Sequence, residues 1–93
     1  MRTIEETTQF RIGYRQLMRQ PHRQRIETGF KEVLSLLLAD LPLQPRHRDH
    51  AMKGNWSGFR DCHVLPDVVL IYRKVGETEL HLVRIGSHSE LKL

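Results

Sequence analysis

The chain has a single cysteine, Cys62. A lone thiol excludes an internal disulfide and a multi-cysteine zinc site, and it fits a reducing compartment. No apolar run approaches the roughly 20 residues that a membrane helix needs, and the opening MRTIEETTQFRIGYR lacks the apolar stretch of a secretory signal. The expectation is a cytoplasmic protein with no membrane-spanning segment. Internal repeats and low-complexity tracts are also missing, and composition does not shift along the 93 residues. One domain, 1–93, is therefore expected. A chain this short buries only about two thirds of its unfolded surface, so a bound partner would add usefully to a modest core.

What is present is positive charge of one kind. Lys and Arg number 15 against 11 Asp and Glu, giving a net charge of +4 and a pI near 9.7. Eleven of those 15 cations are arginine, whose planar fork grips phosphate through two parallel hydrogen bonds. The bias favours a polyanionic partner such as nucleic acid, although a mildly basic soluble surface has the same composition.

Apolar spacing divides the chain. Residues 2–8 are short and mixed; they could extend the first helix or form a brief edge strand, and the strand is the expectation. Phe10, Tyr14, Leu17 and Met18 form one helical stripe that ends near Gln20, with Thr7 or Thr8 available as cap. Pro21 reads as the first-turn proline of a second helix, whose stripe runs from Ile26 through Phe30, Val33, Leu34, Leu37 and Leu38 to Leu41, where Pro42 forbids continuation. Residues 59–64 and 68–72 read as an antiparallel hairpin about Leu65-Pro66-Asp67, and 79–85 as a third strand. Ser87-His88-Ser89-Glu90-Leu91 has the pattern of a capped helical turn. The fold class is α+β, with a helical hairpin followed by a three-stranded meander.

Between these halves, residues 44–58 are expected to be a long polar loop, and loops above about 12 residues are often functional. Trp56 reads as the anchor that fastens it to the core. Titratable side chains gather from here into the first strand of the hairpin. Strand alternation puts Phe59, Asp61 and His63 on one face and Arg60, Cys62 and Val64 on the other. A carboxylate beside an imidazole orients the ring for acid–base work near neutrality. Asp67 in the turn and His88 beyond the third strand stand where they can join that surface, as does His50, although Asp67 is also an ordinary turn former. His47 reads as a solvated loop residue, His22 as a residue near a helix start and His81 as cover for the sheet.

Two other chemistries fit less well. His47-x-x-His50 and Asp61-x-His63 offer metal ligands, but no metalloprotease or paired-cysteine pattern is present and the surrounding arginines oppose a cation. No metal or other cofactor is expected. Cys62 points away from His63 by parity, which disfavours a Cys–His nucleophile. On the first helix Arg11, Arg15 and Arg19 recur every four residues, with Arg23 beyond. Such a ridge suits a phosphate backbone, and it is equally the pattern of a solvated helix face.

The run from His50 through Gly54-Asn55-Trp56-Ser57-Gly58-Phe59-Arg60-Asp61-Cys62-His63-Val64-Leu65-Pro66-Asp67 to Tyr72, with Arg84-Ile85-Gly86-Ser87-His88-Ser89-Glu90-Leu91, resembles the YafQ-type branch of the RelE/ParE toxin superfamily of bacterial toxin–antitoxin systems. The D-x-H-x-x-P-D core and the terminal G-S-H-S-x-L carry the resemblance, closely over the last 50 or so residues and by pattern over the helices. It implies a small RNase fold, two helices on a mainly antiparallel sheet that includes an N-terminal strand. It further implies a ribosome-dependent endoribonuclease that cleaves messenger RNA in the A site of the 70S ribosome, held in check by a cognate antitoxin, commonly of ribbon-helix-helix type. His50, Asp61, His63, Asp67 and His88 correspond to the family's active-site residues. Attack of the ribose 2′-OH on phosphorus needs a base, an acid and cations. The acid is expected to be His88, with His50, His63 or Asp67 supplying the base and orientation, and the cations are drawn from Arg46, Arg48, Lys53, Arg60, Arg84 and Lys92, with Arg11, Arg15, Arg19 and Arg23 toward ribosomal RNA. The resemblance departs at Val68 and Lys92, where relatives carry aromatics; Leu91 or Lys92 is the expected substitute. The other reading of the fold is an inactive module that binds antitoxin, ribosome or RNA.

Overall fold

Thr7 turns the chain from strand to helix in one residue. Its backbone is extended, its hydroxyl accepts the Phe10 N–H and donates to the Val83 carbonyl at 2.6 Å, so one side chain caps the helix and fastens it to the sheet. In the computed structural model, which describes residues 1–93, strand β1 (Thr3–Glu6) precedes this cap and helix α1 (Thr8–Leu17) follows it. Helix α2 spans Arg23–Leu38. Both helices are shorter than their apolar stripes predict. Residues 18–22 turn the chain, and Pro21 lies just before the residue that caps α2, His22, rather than within the first turn. At the far end Asp40 adopts φ 55° and the N–H groups of Leu41 and Asp40 bond back to the carbonyls of Leu36 and Leu37. That left-handed termination stops α2 before Pro42 is reached and leaves Leu41 exposed.

The expected long loop is partly ordered. It holds a 3-10 turn at Pro45–His47, a two-residue strand β2 (His50–Ala51) and a second 3-10 turn at Gly54–Trp56. Strands β3 (Arg60–Leu65), β4 (Val68–Val75) and β5 (Glu79–Gly86) form the meander, and helix α3 (His88–Leu91) closes the chain. The five strands make one sheet in the order β1-β5-β4-β3-β2. Only the β1–β5 pair is parallel. The α+β architecture expected from the spacing is the one observed, and the N-terminal strand joins the sheet as the resemblance implies.

Helices α1 and α2 cover one face. Phe10, Ile26, Phe30 and Val33 pack there against Leu70, Tyr72, Leu80 and Leu82, all buried, each large aliphatic side chain contributing about 1.5–3 kcal/mol by leaving water. Two glycines set the helix–sheet distance. A Cβ on Gly13 of α1 would lie 2.4 Å from the Ile85 carbonyl oxygen, and one on Gly29 of α2 would lie 2.6 Å from that of Val64. The opposite face carries a smaller cluster, Val69, Ile71 and Leu91, partly covered by Met52, Trp56 and Phe59. Trp56 meets Phe59 edge to face at 5.4 Å and anchors the loop as its position suggests. No helix is long and apolar enough to cross a membrane.

Candidate active site

The half-covered face is where the chemistry collects. Alternation along β3 sends Cys62 and Val64 into the helix-side core and Asp61 and His63 to the other face. Cys62 is fully buried there, and burial first of all pushes its thiol well above the ordinary range, which makes it inert. Asp61 and His63 are buried too, at 7% and 9% exposure.

β2 brings His50 opposite Asp61 in register. His50 Nδ1 lies 3.2 Å from Asp61 Oδ1, yet its hydrogen bond runs to the Arg48 carbonyl at 2.8 Å. The two groups thus lie side by side without a hydrogen bond, and the buried Oδ1 of Asp61 accepts none. His63 Nδ1 lies 3.1 Å from the Pro66 carbonyl. A carbonyl oxygen only accepts, so in both rings Nδ1 carries the proton, and in the neutral form Nε2 is the basic nitrogen. His50 and His63 are diagonal neighbours on adjacent strands, a spacing of about 7–8 Å.

His88 reaches the same place from the other end of the chain. Ser87 and Glu90 form a capping box, with the Ser87 hydroxyl accepting the Glu90 N–H and the Glu90 carboxylate accepting the Ser87 N–H. This fixes His88 at the first turn of α3, where its ring lies 5.0 Å from that of His63 at an angle of 53°. Asp67 is exposed at the β3–β4 turn, next in sequence to the carbonyl that His63 binds. Four of the five candidate residues therefore converge, and the fifth stands at the margin.

The candidate cations divide. Arg84 faces the cluster, in the row Asp61–Ile71–Arg84 across the sheet. Lys53, Arg48 and Lys92 are exposed, Lys53 before the second 3-10 turn, Arg48 in a left-handed conformation after the first, and Lys92 likewise after α3. Arg46 is paired with Glu32 of α2. Arg60 does not join the cluster. It lies opposite Tyr72 in register, on the helix side, and its guanidinium is tied to Asp49 at 3.1 Å and 3.3 Å. Arg11, Arg15, Arg19 and Arg23 are exposed on the helix layer, behind the sheet as seen from His63. Val68 is buried in the helix-side core and Leu91 in the small cluster, so neither presents a side chain to a substrate.

Two residues that the sequence reading passed over matter here, Arg73 and Asp49, and a third, His47, stands differently from its expected solvated place. Arg73 lies on the cluster's face with its guanidinium 5.0 Å over the Phe59 ring. It was out of view because β4 runs on to Val75 instead of ending at Tyr72. Asp49 accepts hydrogen bonds from Arg60 and, at 2.5 Å, from the Tyr72 hydroxyl. His47 is not solvated at all. It is 2% exposed, and burial first of all holds its imidazole below the usual range.

The family model described as "Bacterial toxin of type II toxin-antitoxin system, YafQ" matches residues 2–93. The chain belongs to the YafQ toxin family. It is 42% identical to the mRNA interferase toxin YafQ of Escherichia coli K12 over 62 residues, 66% of each chain. Solved YafQ-like structures match it over nearly its whole length. A copper-bound mutant toxin from Helicobacter pylori superposes with a TM-score of 0.87 at 38% identity, covering 98% of this chain and 99% of that one. The YafQ of an E. coli DinJ–YafQ complex gives 0.83 at 33% identity, covering 98% of both. In this YafQ-family chain no three His, Cys, Asp or Glu side chains are grouped so as to hold a metal ion.

Proposed function

We propose that this toxin is an mRNA interferase, a ribosome-dependent endoribonuclease that cuts messenger RNA in the A site by acid–base chemistry. The observation that carries the reading is the meeting of His63 and His88 at 5.0 Å, beside the His50–Asp61 contact, from three separate stretches of chain. The name of the E. coli relative supports the substrate class.

His50 and His63 both present a basic Nε2 in the neutral form, and the base is drawn from these two. It removes the proton of the ribose 2′-OH, the 2′ oxygen bonds to phosphorus, and the P–O5′ bond breaks. His88 gives its proton to the departing 5′ oxygen, leaving a 2′,3′-cyclic phosphate and a 5′-hydroxyl end. Asp61, whose Oδ1 is buried without a donor 3.2 Å from His50 Nδ1, favours the protonated form of His50 once that ring has taken up a proton. Asp67 stands exposed beside the Pro66 carbonyl that His63 binds, at the margin of the site where a substrate group could meet its carboxylate. Arg84 and Arg73 supply cation density on this face, with Lys53, Arg48 and Lys92 at its rim. On the other side of the molecule the ridge of Arg11, Arg15, Arg19 and Arg23 is free to lie on ribosomal RNA while the sheet faces the message. The E. coli relative is seen in complex with DinJ, and the corresponding partner here is a cognate antitoxin of ribbon-helix-helix type.

The test is His88→Ala. Loss of a general acid costs about a hundred- to ten-thousandfold, and His88 is exposed, so the fold should survive. The variant should lose cleavage of ribosome-bound mRNA while keeping its thermal melt. A folded His88→Ala protein that cuts at the wild-type rate would remove the acid from the scheme.

A further inference from the structure

Beside His63 the edge of β3 opens into a cleft of about 460 Å³, which the reaction above does not use. Its walls are Arg25 and Glu32 of α2, Arg46 and His47 of the first 3-10 turn, and His63 with Pro66. The site already described and this cleft therefore share one residue, His63.

His47 is the informative wall. Its Nδ1 accepts the Gln44 N–H at 3.1 Å, so its proton resides on Nε2. That N–H has no hydrogen-bond acceptor; the nearest acid oxygen, Glu32 Oε1, is 4.0 Å away. Oε1 of Glu32 is taken by Arg46, while its Oε2 has no partner. A ring that is 2% exposed thus aims an unused donor into a cleft beside an unused acceptor. The Nε2 atom opens onto the cleft rather than being sealed inside the protein, so an occupant of the cleft can accept a hydrogen bond from it, and burial lowers the tendency of this imidazole to protonate.

We propose that the cleft seats one nucleobase of the RNA next to the cut, with His47 Nε2–H donating to a ring nitrogen or carbonyl of the base and Glu32 Oε2 accepting from its neighbouring N–H. The inference rests on the reading that the chain cuts RNA, and it makes the cleft the source of base preference. The volume admits a base with its sugar. Arg25 stands at the wall where the flanking phosphate would pass. An acidic peptide is the poorer occupant, because Glu32 would oppose its carboxylates at the wall where a neutral base can bond.

The experiment measures cleavage of ribosome-bound mRNAs that differ in the base on either side of the cut, using the wild type, Glu32→Ala and His47→Ala. A well-made pair of base contacts discriminates by about tenfold or more. Both variants should therefore flatten the ratio of best to worst base by that factor at one position. Glu32 is partly exposed on a helix, so Glu32→Ala carries the test alone if His47→Ala fails to fold. An unchanged ratio overturns the proposal, as does unchanged preference with lost antitoxin binding, which would give the cleft to the antitoxin. If the wild type cuts no RNA, the proposed function falls. Titration with AMP, GMP, CMP and UMP then decides the cleft separately. Shifts of the Gly29 and Leu65 amides with one base above the others, lost in Glu32→Ala, uphold it, and none overturns it.

Discussion

Asp49 precedes His50 and is held by three hydrogen bonds, two from Arg60 and one from the Tyr72 hydroxyl at 2.5 Å. Burial chiefly, and then the Asp49 carboxylate, raises the Tyr72 hydroxyl above its ordinary range, so it remains a donor at any physiological pH. The tie crosses the sheet edge and fixes the loop from which His50 hangs. Tyr72→Phe removes one bond to a charged acceptor and should cost about 1.5–3 kcal/mol, read as a lower urea midpoint, with cleavage falling as His50 loosens. An unchanged midpoint would mean that Arg60 alone holds the loop. At this scale the grouping of Asp61 with His63 was legible, because strand alternation is a local rule. The burial of His47 and the engagement of Arg60 were not. Both depend on which surface a loop folds against, and neither hydropathy nor spacing encodes that choice.

The helices illustrate what periodicity misses. Their stripes fixed which residues face the sheet, but the ends were set by backbone events that apolar spacing does not report: the Thr7 cap, and the left-handed Asp40 that stops α2 at Leu38. Glycine inside a helix costs about 1 kcal/mol relative to alanine, and Gly13 and Gly29 bear that cost where each helix touches a strand carbonyl. Gly13→Ala would place a methyl 2.4 Å from the Ile85 oxygen, so α1 must move away from β5. The gain in helix propensity is outweighed by overpacking of about 1–3 kcal/mol, and a lower melting temperature is expected. Since Gly86, Ser87 and His88 follow Ile85 directly, the same displacement should also disturb α3 and slow cleavage. A variant that melts at or above the wild-type temperature would show that the interface can give way freely.

Across the whole molecule the least local feature is the parallel β1–β5 pair, which joins the two ends of the sequence. Spacing suggested only a short strand at residues 2–8, and the family resemblance supplied its place in the sheet. The physical reason for that place lies in Arg2. Its guanidinium donates to the carbonyls of Gly76 and Glu79 at 2.9 Å and 3.0 Å and to Asp40 at 2.8 Å, while Lys74 reaches the same carboxylate at 2.7 Å. Asp40 therefore ties the N-terminus, the end of α2 and β4 together. The Lys74 hydrogen bond first, and the Arg2 one second, hold its carboxyl below the ordinary range of 3.8. A carboxylate whose pKa is depressed by folding stabilises the fold above its unfolded pKa, and that contribution disappears as pH falls through the folded value. Asp40→Asn keeps a side chain that tolerates the left-handed backbone but removes the charge. The variant should unfold at lower urea than the wild type at pH 7, and the gap should close as the pH drops through and below about 3.9. Added salt should narrow the gap at pH 7, because the carboxylate is half exposed and open to screening. A gap that stays constant from pH 7 to pH 2 would assign the loss to side-chain geometry and leave the three-way charge tie without a role in holding the chain's beginning to its sheet.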